Sequence, residues 1–406
     1  MKKGLHIGYL LSWTLLMSAY SDVRADILDH WTTNQIATNG FGFHHIVYGN
    51  GIYVAVGEAG DSGGFYTSSD GFNWALQYSE PNSWGVNLKY SNGRFGCVGP
   101  GLGSGVADIS ANGTNWSTIF GLTSPQDITY GYDYNANGVY VVVGANYIKT
   151  SPDGSSWTQN TISPSAAGPI VSVAADEYGD FIAMGNNDGY VYYNGSVGNS
   201  SWIRDTISGG NKVSYANGLF FVPLNNGTNL IFYDGVWTAK ATGLTNKMGA
   251  VTYSHGMFMA QCGISSSGSY LATSPDGTNW FQYPKLLPNA CGIYDTSDFD
   301  LSVATDGYRL VTGSSVQTNS GLPNRFNSFV YTSDPLVGIR LTNTPVMNIA
   351  LSGLVGRKYQ VQSIDALGVG NTWRTNAILQ LTNTPFVWTD NTATNSARFY
   401  RGVLLP

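Results

Sequence analysis

Short apolar runs alternate with turn residues along most of the chain. Runs such as Tyr53-Val54-Ala55-Val56 and Phe65-Tyr66-Thr67 are rich in β-branched and aromatic residues and end at Gly, Asn, Asp or Ser. That is a strand-and-turn pattern, not a helical one. The pattern also repeats. A motif G-x-[FY]-x-x-x-G stands at Gly51-Ile52-Tyr53…Gly57, Gly93-Arg94-Phe95…Gly99, Gly138-Val139-Tyr140…Gly144 and Gly179-Asp180-Phe181…Gly185, with degenerate copies at Gly218-Leu219-Phe220, Gly256-Met257-Phe258 and Gly307-Tyr308…Gly313. These seven starts are 42, 45, 41, 39, 38 and 51 residues apart. A Tyr stands three positions before the Gly at Tyr48, Tyr90, Tyr215 and Tyr253.

A second frame, S-x-[DN]-G-x-x-W, accompanies the first at Ser68–Trp74, Ser110–Trp116, Ser151–Trp157 and Ser274–Trp280. Its Asp or Asn can accept backbone N–H bonds, and its Gly takes a positive φ at little cost, so the frame reads as a tight turn. The Trp then opens the following strand with a large apolar side chain. Each period therefore reads as four strands in about 40 residues, the pattern of a propeller blade. The expected fold is all-β: a seven-bladed β-propeller of four-stranded blades. The last period lacks its Trp, and Trp31 stands 15 residues before Ile46, much as Trp74 stands 14 before Leu88. An N-terminal strand beginning at Trp31 is thus expected to close the last blade.

The frame resembles the Asp-box (BNR) repeat of the sialidase-type β-propellers. It departs from that pattern in one respect, because Asp and Gly are adjacent here. The resemblance covers residues 27–337 and implies a propeller whose Asp-box turns lie on the outer, non-catalytic side of each blade. Asp70, Trp74, Asn112, Trp116, Asp153, Trp157, Asp276, Trp280 and Trp31 are accordingly expected to be structural, since a residue repeated in every blade is no unique catalytic centre.

Charged residues make up only 11% of the chain, Gly numbers 51, and the formal net charge is −6. This composition suits an exported β-protein and argues against a nucleic-acid partner, which would call for a basic stripe. Lys2-Lys3 precede an apolar stretch, and Val23-Arg24-Ala25 offers small residues at the −3 and −1 positions, so residues 1–25 read as a secretory signal peptide. Export to the periplasm, cell surface or medium is expected, with no transmembrane segment and a monomeric state. Of the three cysteines, Cys262 and Cys291 are the nearest pair for a disulfide; the alternative is that all three are small buried residues. The adjacent His44 and His45 should point to opposite sides of a strand, and C-x-x-C pairs are absent, so neither a metal nor a cofactor is implied.

Residues 338–406 change character. Strand-like runs at Val346–Leu351, Tyr359–Ser363, Ile378–Leu381, Phe386–Asp390 and Phe399–Leu404 predict a small C-terminal β-sandwich. Gly356-Arg357-Lys358-Tyr359, Trp373, Trp388-Thr389-Asp390 and Arg398-Phe399-Tyr400-Arg401 resemble the fibronectin-like modules appended to secreted bacterial proteins, which implies spacing, sorting or attachment. Arg357, Arg374, Arg398 and Arg401 there hint at an anionic contact surface, with a solvated face as the plainer reading.

The sialidase set of catalytic residues does not transfer. The propeller region carries only Arg94, Arg204, Arg309 and Arg325, and a three-arginine carboxylate clamp cannot be assembled from them. If the Asp-Gly turns mark one face, the opposite face carries the loops after the second strands, with Glu58, Asp61, Asp188 and Arg325. It also carries the connectors between blades, with His44, His45, Glu80, Trp84, Asp127, Tyr132, Asp133, Asp295, Asp298 and Asp300. Acidic side chains beside Trp84 would suit a sugar, whose ring stacks on the indole. Ligand-binding candidates are therefore Glu58, Asp61, Trp84, Asp127, Asp188, Asp298 and Arg325, against the plainer reading of ordinary polar loops. The leading expectation is a non-catalytic propeller binding a glycan or an extracellular or periplasmic protein. A glycoside hydrolase or lyase is the first alternative and requires two converging carboxylates. An extracytoplasmic assembly factor is the second, and would call for an arginine-lined patch.

Overall fold

A computed structural model describes residues 31–405 apart from 38–40, 60–61, 82–86, 100–104, 134, 187–188, 195–200, 208, 225–226, 234, 245–247, 255–256, 263–269, 287–302, 307–308, 318–325, 334–336, 345, 354, 366–371, 383–385 and 393–397. Every regular element among these residues is a β-strand. No helix among them is long and apolar enough to cross a membrane.

Among the described residues, seven sheets of four or five strands follow one another along the chain. The first contains Phe41–Gly49, Ile52–Ala59, Ser62–Ser68 and Ala75–Pro81, each pairing antiparallel with the next. The same up-and-down order recurs in sheets whose inner strands are Asn87–Ser91, Pro125–Tyr132, Ile170–Ala175, Ser214–Ala216 and Met248–Ser254. The last of the seven joins Ala304–Thr305, Leu310–Gln317 and Phe326–Ser333 to an outer strand from the other end of the chain. There Trp31–Ala37 runs antiparallel to Phe326–Ser333, with Trp31 opposite Ser333.

Period-2 alternation explains how the sheets face one another. In the second strand of the first sheet, Val54 and Val56 join a cluster with Leu88, Phe95 and Cys97 of the next sheet. The intervening Tyr53 and Ala55 join Ala304 and Val311 of the last sheet. Both faces of this strand are therefore covered, which is why it reads as a continuous apolar run. Each other pair of successive sheets shares a cluster of the same kind. Because first and last sheets also share one, the packing closes on itself.

The S-x-[DN]-G-x-x-W frame proves to be a self-satisfied turn. In the first copy Ser68 Oγ donates to Asp70 Oδ1 at 2.9 Å, and Gly71 N donates to Ser68 Oγ at 2.9 Å. Phe72 N and Asn73 N both donate to Asp70 Oδ1 at 2.8 Å. Trp74 Nε1 closes the turn on Gly71 O at 3.0 Å. The copies built on Asn112, Asp153 and Asp276 repeat these bonds. Trp74, Trp157 and Trp280 end the turn one residue before a strand, whereas Trp116 begins its strand. The turn glycines hold φ of 76–78°, and at Gly113 a Cβ would lie 2.8 Å from Val54 Cγ2 of the preceding sheet. The turns of Gly113, Gly154 and Gly277 thus each seat against the preceding sheet, and Trp116 stacks on Phe65 of the first sheet at 3.9 Å.

The fourth sheet has an addition that the periodicity did not predict. Thr161–Ser163, from the preceding connector, lies parallel to its outer strand Ser201–Thr206.

Beyond the ring, Val337–Thr344, Val346–Gly353 and Phe386–Asp390 form one three-stranded sheet, and Lys358–Ile364, Arg374–Gln380 and Phe399–Leu404 form another. Ile349, Leu351, Tyr359, Val361 and Leu381 make their common core. The segment around Val355 docks on the sixth sheet of the ring. There the fully buried Tyr283 hydroxyl accepts from Val355 N at 3.0 Å and donates to Gly353 O at 3.1 Å.

Candidate functional site in the axial cavity

The inner strands converge on a cavity of about 530 Å³ to which all seven sheets contribute. Its construction begins with a recurring irregularity. The pairing of inner and second strand slips between Phe43 and His45, between Pro125 and Asp127, between Ile170 and Ser172, and between Met248 and Val251. A bulge re-aims the residue that follows it. In three of the four sheets that residue is polar and buried: His45, Asp127 and Ser172.

Two of them serve the neighbouring sheet. An inner strand has a free edge, and its N–H groups need acceptors. Asp127 Oδ2 accepts from Val173 N at 2.8 Å, and Ser172 Oγ accepts from Val213 N at 3.2 Å. Ser91 Oγ accepts from Tyr130 N at 2.9 Å, and Ser214 Oγ from Val251 N at 2.9 Å. Side chains of one sheet thus cap the edge of the next, forming a belt around much of the cavity.

Asp127 is the most heavily used member. Its side chain is fully buried. Besides Val173 N it accepts from Asn87 Nδ2 at 3.1 Å, Ile128 N at 2.8 Å and Ser172 Oγ at 3.2 Å, and it pairs with the Lys89 ammonium. Lys89 Nζ also donates to Val173 O at 2.8 Å. The ion pair therefore ties three successive sheets together, and the carboxylate's lone pairs are consumed by the protein itself.

At one end of the inner strands a second repeat appears. Tyr48 pairs with Tyr53, Tyr90 with Phe95, Tyr130 with Tyr140, Tyr215 with Phe220 and Tyr253 with Phe258, all at ring separations of 4.7–4.9 Å. Two of these phenols reach the preceding sheet: Tyr90 donates to Asn50 Oδ1 at 2.6 Å, and Tyr215 bonds to Glu177 Oε2. Burial is the larger and Glu177 the smaller cause of a strongly raised Tyr215 pKa.

The residues singled out from sequence fall unevenly. Glu58 lies within the second strand Ile52–Ala59, opposite Gly42 and Gly63, not in the loop after it. Asp127 belongs to an inner strand, not to a connector. Asp61, Trp84, Asp188, Asp298 and Arg325 lie outside the described residues, as do Asp295, Asp300 and Cys291. Asp133 caps its own turn by accepting from Asn135 N and Asn137 N at 2.9 and 2.8 Å. Cys97 and Cys262 are buried, with the Cys262 thiol donating to Tyr270 O at 3.5 Å, and burial pushes the Cys262 thiol up to about 12. In the C-terminal sheets Arg398 pairs with Asp365 and Asp390, Arg374 with Asp365, and Arg357 donates to Leu405 O. Arg401 lies over Trp373 at 4.4 Å. Arg357 and Arg398 are mostly buried in these contacts, whereas the Arg374 side chain stays 63% exposed.

Sequence reasoning missed Lys89, Asn87, Ser91, Ser172 and Ser214. Asn87 and Asp127 stand three positions before Tyr90 and Tyr130, as His45 stands three before Tyr48, so the Tyr of the inner strand held a usable signal.

No protein-family model matches the sequence, and no curated protein does either. Among solved structures, the chain is similar to the WD40 repeats of RRP9, at 11% identity and TM-score 0.51, covering 75% of this chain and 97% of that one. It is similar to a chain of the mitotic checkpoint complex, at 10% identity and TM-score 0.51, covering 82% of this chain and 98% of that one. A third likeness is to YCF48 from Cyanidioschyzon merolae, at 15% identity and TM-score 0.49, covering 75% of this chain and 98% of that one. With successive up-and-down antiparallel sheets packed face to face and WD40-repeat neighbours, the chain has a β-propeller fold.

Proposed function

We propose that this chain is an exported, non-catalytic propeller of seven blades and Asp-box type, which binds a glycan or a protein. The ligand face in this reading is the one bearing the loops after the second strands and the connectors between blades. The two C-terminal sheets form a sandwich that serves attachment or sorting. The observation that carries the non-catalytic reading is the state of Asp127. A catalytic carboxylate must be open to a reacting group. This one is fully buried and accepts from Asn87, Lys89, Ile128, Ser172 and Val173, so it works as a clamp between sheets.

The test is a glycan array and a pull-down from surface and periplasmic extracts with the mature chain, run beside a polysaccharide turnover assay. Retention of a ligand without turnover is expected. Sustained turnover, with neither assay retaining anything, would replace this reading with the glycoside hydrolase.

A further inference from the structure

We infer that the axial cavity, entered at the rim formed by the turns between first and second strands, is a binding site for a neutral carbohydrate. This rests on reading the chain as a binding propeller, and it adds to the loop face a second site at the other end of the axis.

Four observations carry it. First, the volume of about 530 Å³ falls within the ~300–1,000 Å³ usual for small-ligand sites. Second, the wall is electrically spent. Lys89 is the only lysine or arginine among the described lining residues, none of which is an Asp or Glu. Asp127 already compensates that lysine. Apart from His45, which is buried on that wall, a charged ligand would meet no counter-charge that is not already paired, at a high desolvation cost.

Third, the wall offers neutral hydrogen-bonding groups. Thr252 and Asn217 are exposed on it. Ser214 Oγ accepts from Val251 N and keeps its own proton for another acceptor. Rings of Tyr48, Tyr90, Tyr215 and Tyr253 supply apolar wall on which the C–H face of a sugar can rest. Fourth, a peptide adding as a strand would need the free edges of the inner strands. The belt already occupies Tyr130 N, Val173 N, Val213 N and Val251 N. Along these four sheets recognition goes through side chains, as it does for a polyhydroxylated ligand.

The experiment is calorimetric titration of the mature chain with neutral oligosaccharides, with uronic-acid and amino-sugar oligosaccharides of the same length, and with unstructured peptides. Thr252→Trp fills the cavity without removing a hydrogen bond of the belt. Val236→Trp, on an exposed outer strand, serves as the control. A neutral oligosaccharide should bind to the parent and to Val236→Trp, and binding should be lost in Thr252→Trp with the thermal transition retained. If Thr252→Trp does not fold, Ala250→Phe on the same wall takes its place. Undiminished binding in a folded cavity-filled variant overturns the axial site while leaving the binding-propeller reading intact. Preference for a charged sugar or a peptide, or no sugar bound at all, overturns it as well.

Discussion

The second and fourth sheets solve one problem in two ways. Each has a Trp near the start of its outer strand that must pack inward while its indole N–H finds an acceptor. In the second sheet the frame supplies everything. Trp116 Nε1 donates to Gly113 O at 3.0 Å, the ring stacks on Phe65, and the side chain stays half-buried. The fourth sheet has no frame. Trp202 is fully buried in a cluster with Val139, Ile148 and Phe181. Its Nε1 has no acceptor among the described residues. The extra strand Thr161–Ser163 pairs Ile162 with Trp202, and Ile162 packs on the same cluster. In the fourth sheet the indole is covered by added burial. The frame is thus one route to a packed outer strand and the added strand another.

The largest expected effect follows directly. Trp202→Ala should cost about 3–5 kcal/mol, the range for a fully buried aromatic. Trp116→Ala should cost about 1–3 kcal/mol. The sharper test is Phe. At Trp202 a Phe removes an N–H that has no acceptor among the described residues, so much of the lost contact is offset. At Trp116 it strands Gly113 O. Urea unfolding of the four variants decides it, and a Trp116→Phe as mild as Trp202→Phe would undo the contrast.

Glycine separates the turn's conformation from its seat. Gly51, at φ 79° with open space around it, should tolerate Ala at about 1 kcal/mol, the strain of the left-handed region alone. Gly113 adds a collision with Val54, so Gly113→Ala should cost about 2–3 kcal/mol. Equal losses would mean that the turn does not press on its neighbour. At the docked module, Tyr283→Phe removes an acceptor for Val355 N and a donor for Gly353 O, at an expected cost of about 1–3 kcal/mol. It should also raise the rate of proteolytic separation of the two C-terminal sheets from the ring.

How much of this was legible depended on whether the determinants were local. The frame was, because all its bonds run within seven residues and its Gly, Asp and Trp have no easy substitutes. The outer strand from Trp31 was legible because the last period lacks a Trp. The belt was not. Asp127 acts on Val173, 46 residues away, and the bulge before it breaks the alternation that would have marked the strand. Its acidity suggested a ligand; its packing makes it a clamp. The added strand Thr161–Ser163 is too short for alternation to show and is held by its partner.

The smallest effect is electrostatic, and it compares turns that differ by one atom type. Asp70 is held below its ordinary 3.8, chiefly by the Asn73 N–H, with burial opposing. The Ser156 N–H, then Ser155, lowers Asp153. For Asp276 burial pulls upward, and the Asn279 N–H leads the bonds that outweigh it. A carboxylate whose folded pKa is depressed contributes stability in full above the unfolded value and loses it as pH falls through the folded one. Asp70, Asp153 and Asp276 should therefore steepen acid denaturation below about pH 4. In the C-terminal sheets Asp390 should add to it. Burial raises that carboxyl, but bonds led by the Thr392 hydroxyl bring it down to about 2. Asn112 is the built-in control, since it makes the same bonds through an amide oxygen that does not titrate. Replacing Asp70, Asp153 and Asp276 together by Asn should leave the urea midpoint at pH 7 close to the parent's and flatten the fall between about pH 4 and pH 2. Urea midpoints across that range measure it. An unchanged acid limb would show that the turn carboxylates contribute no more than the amide that stands in for them at Asn112.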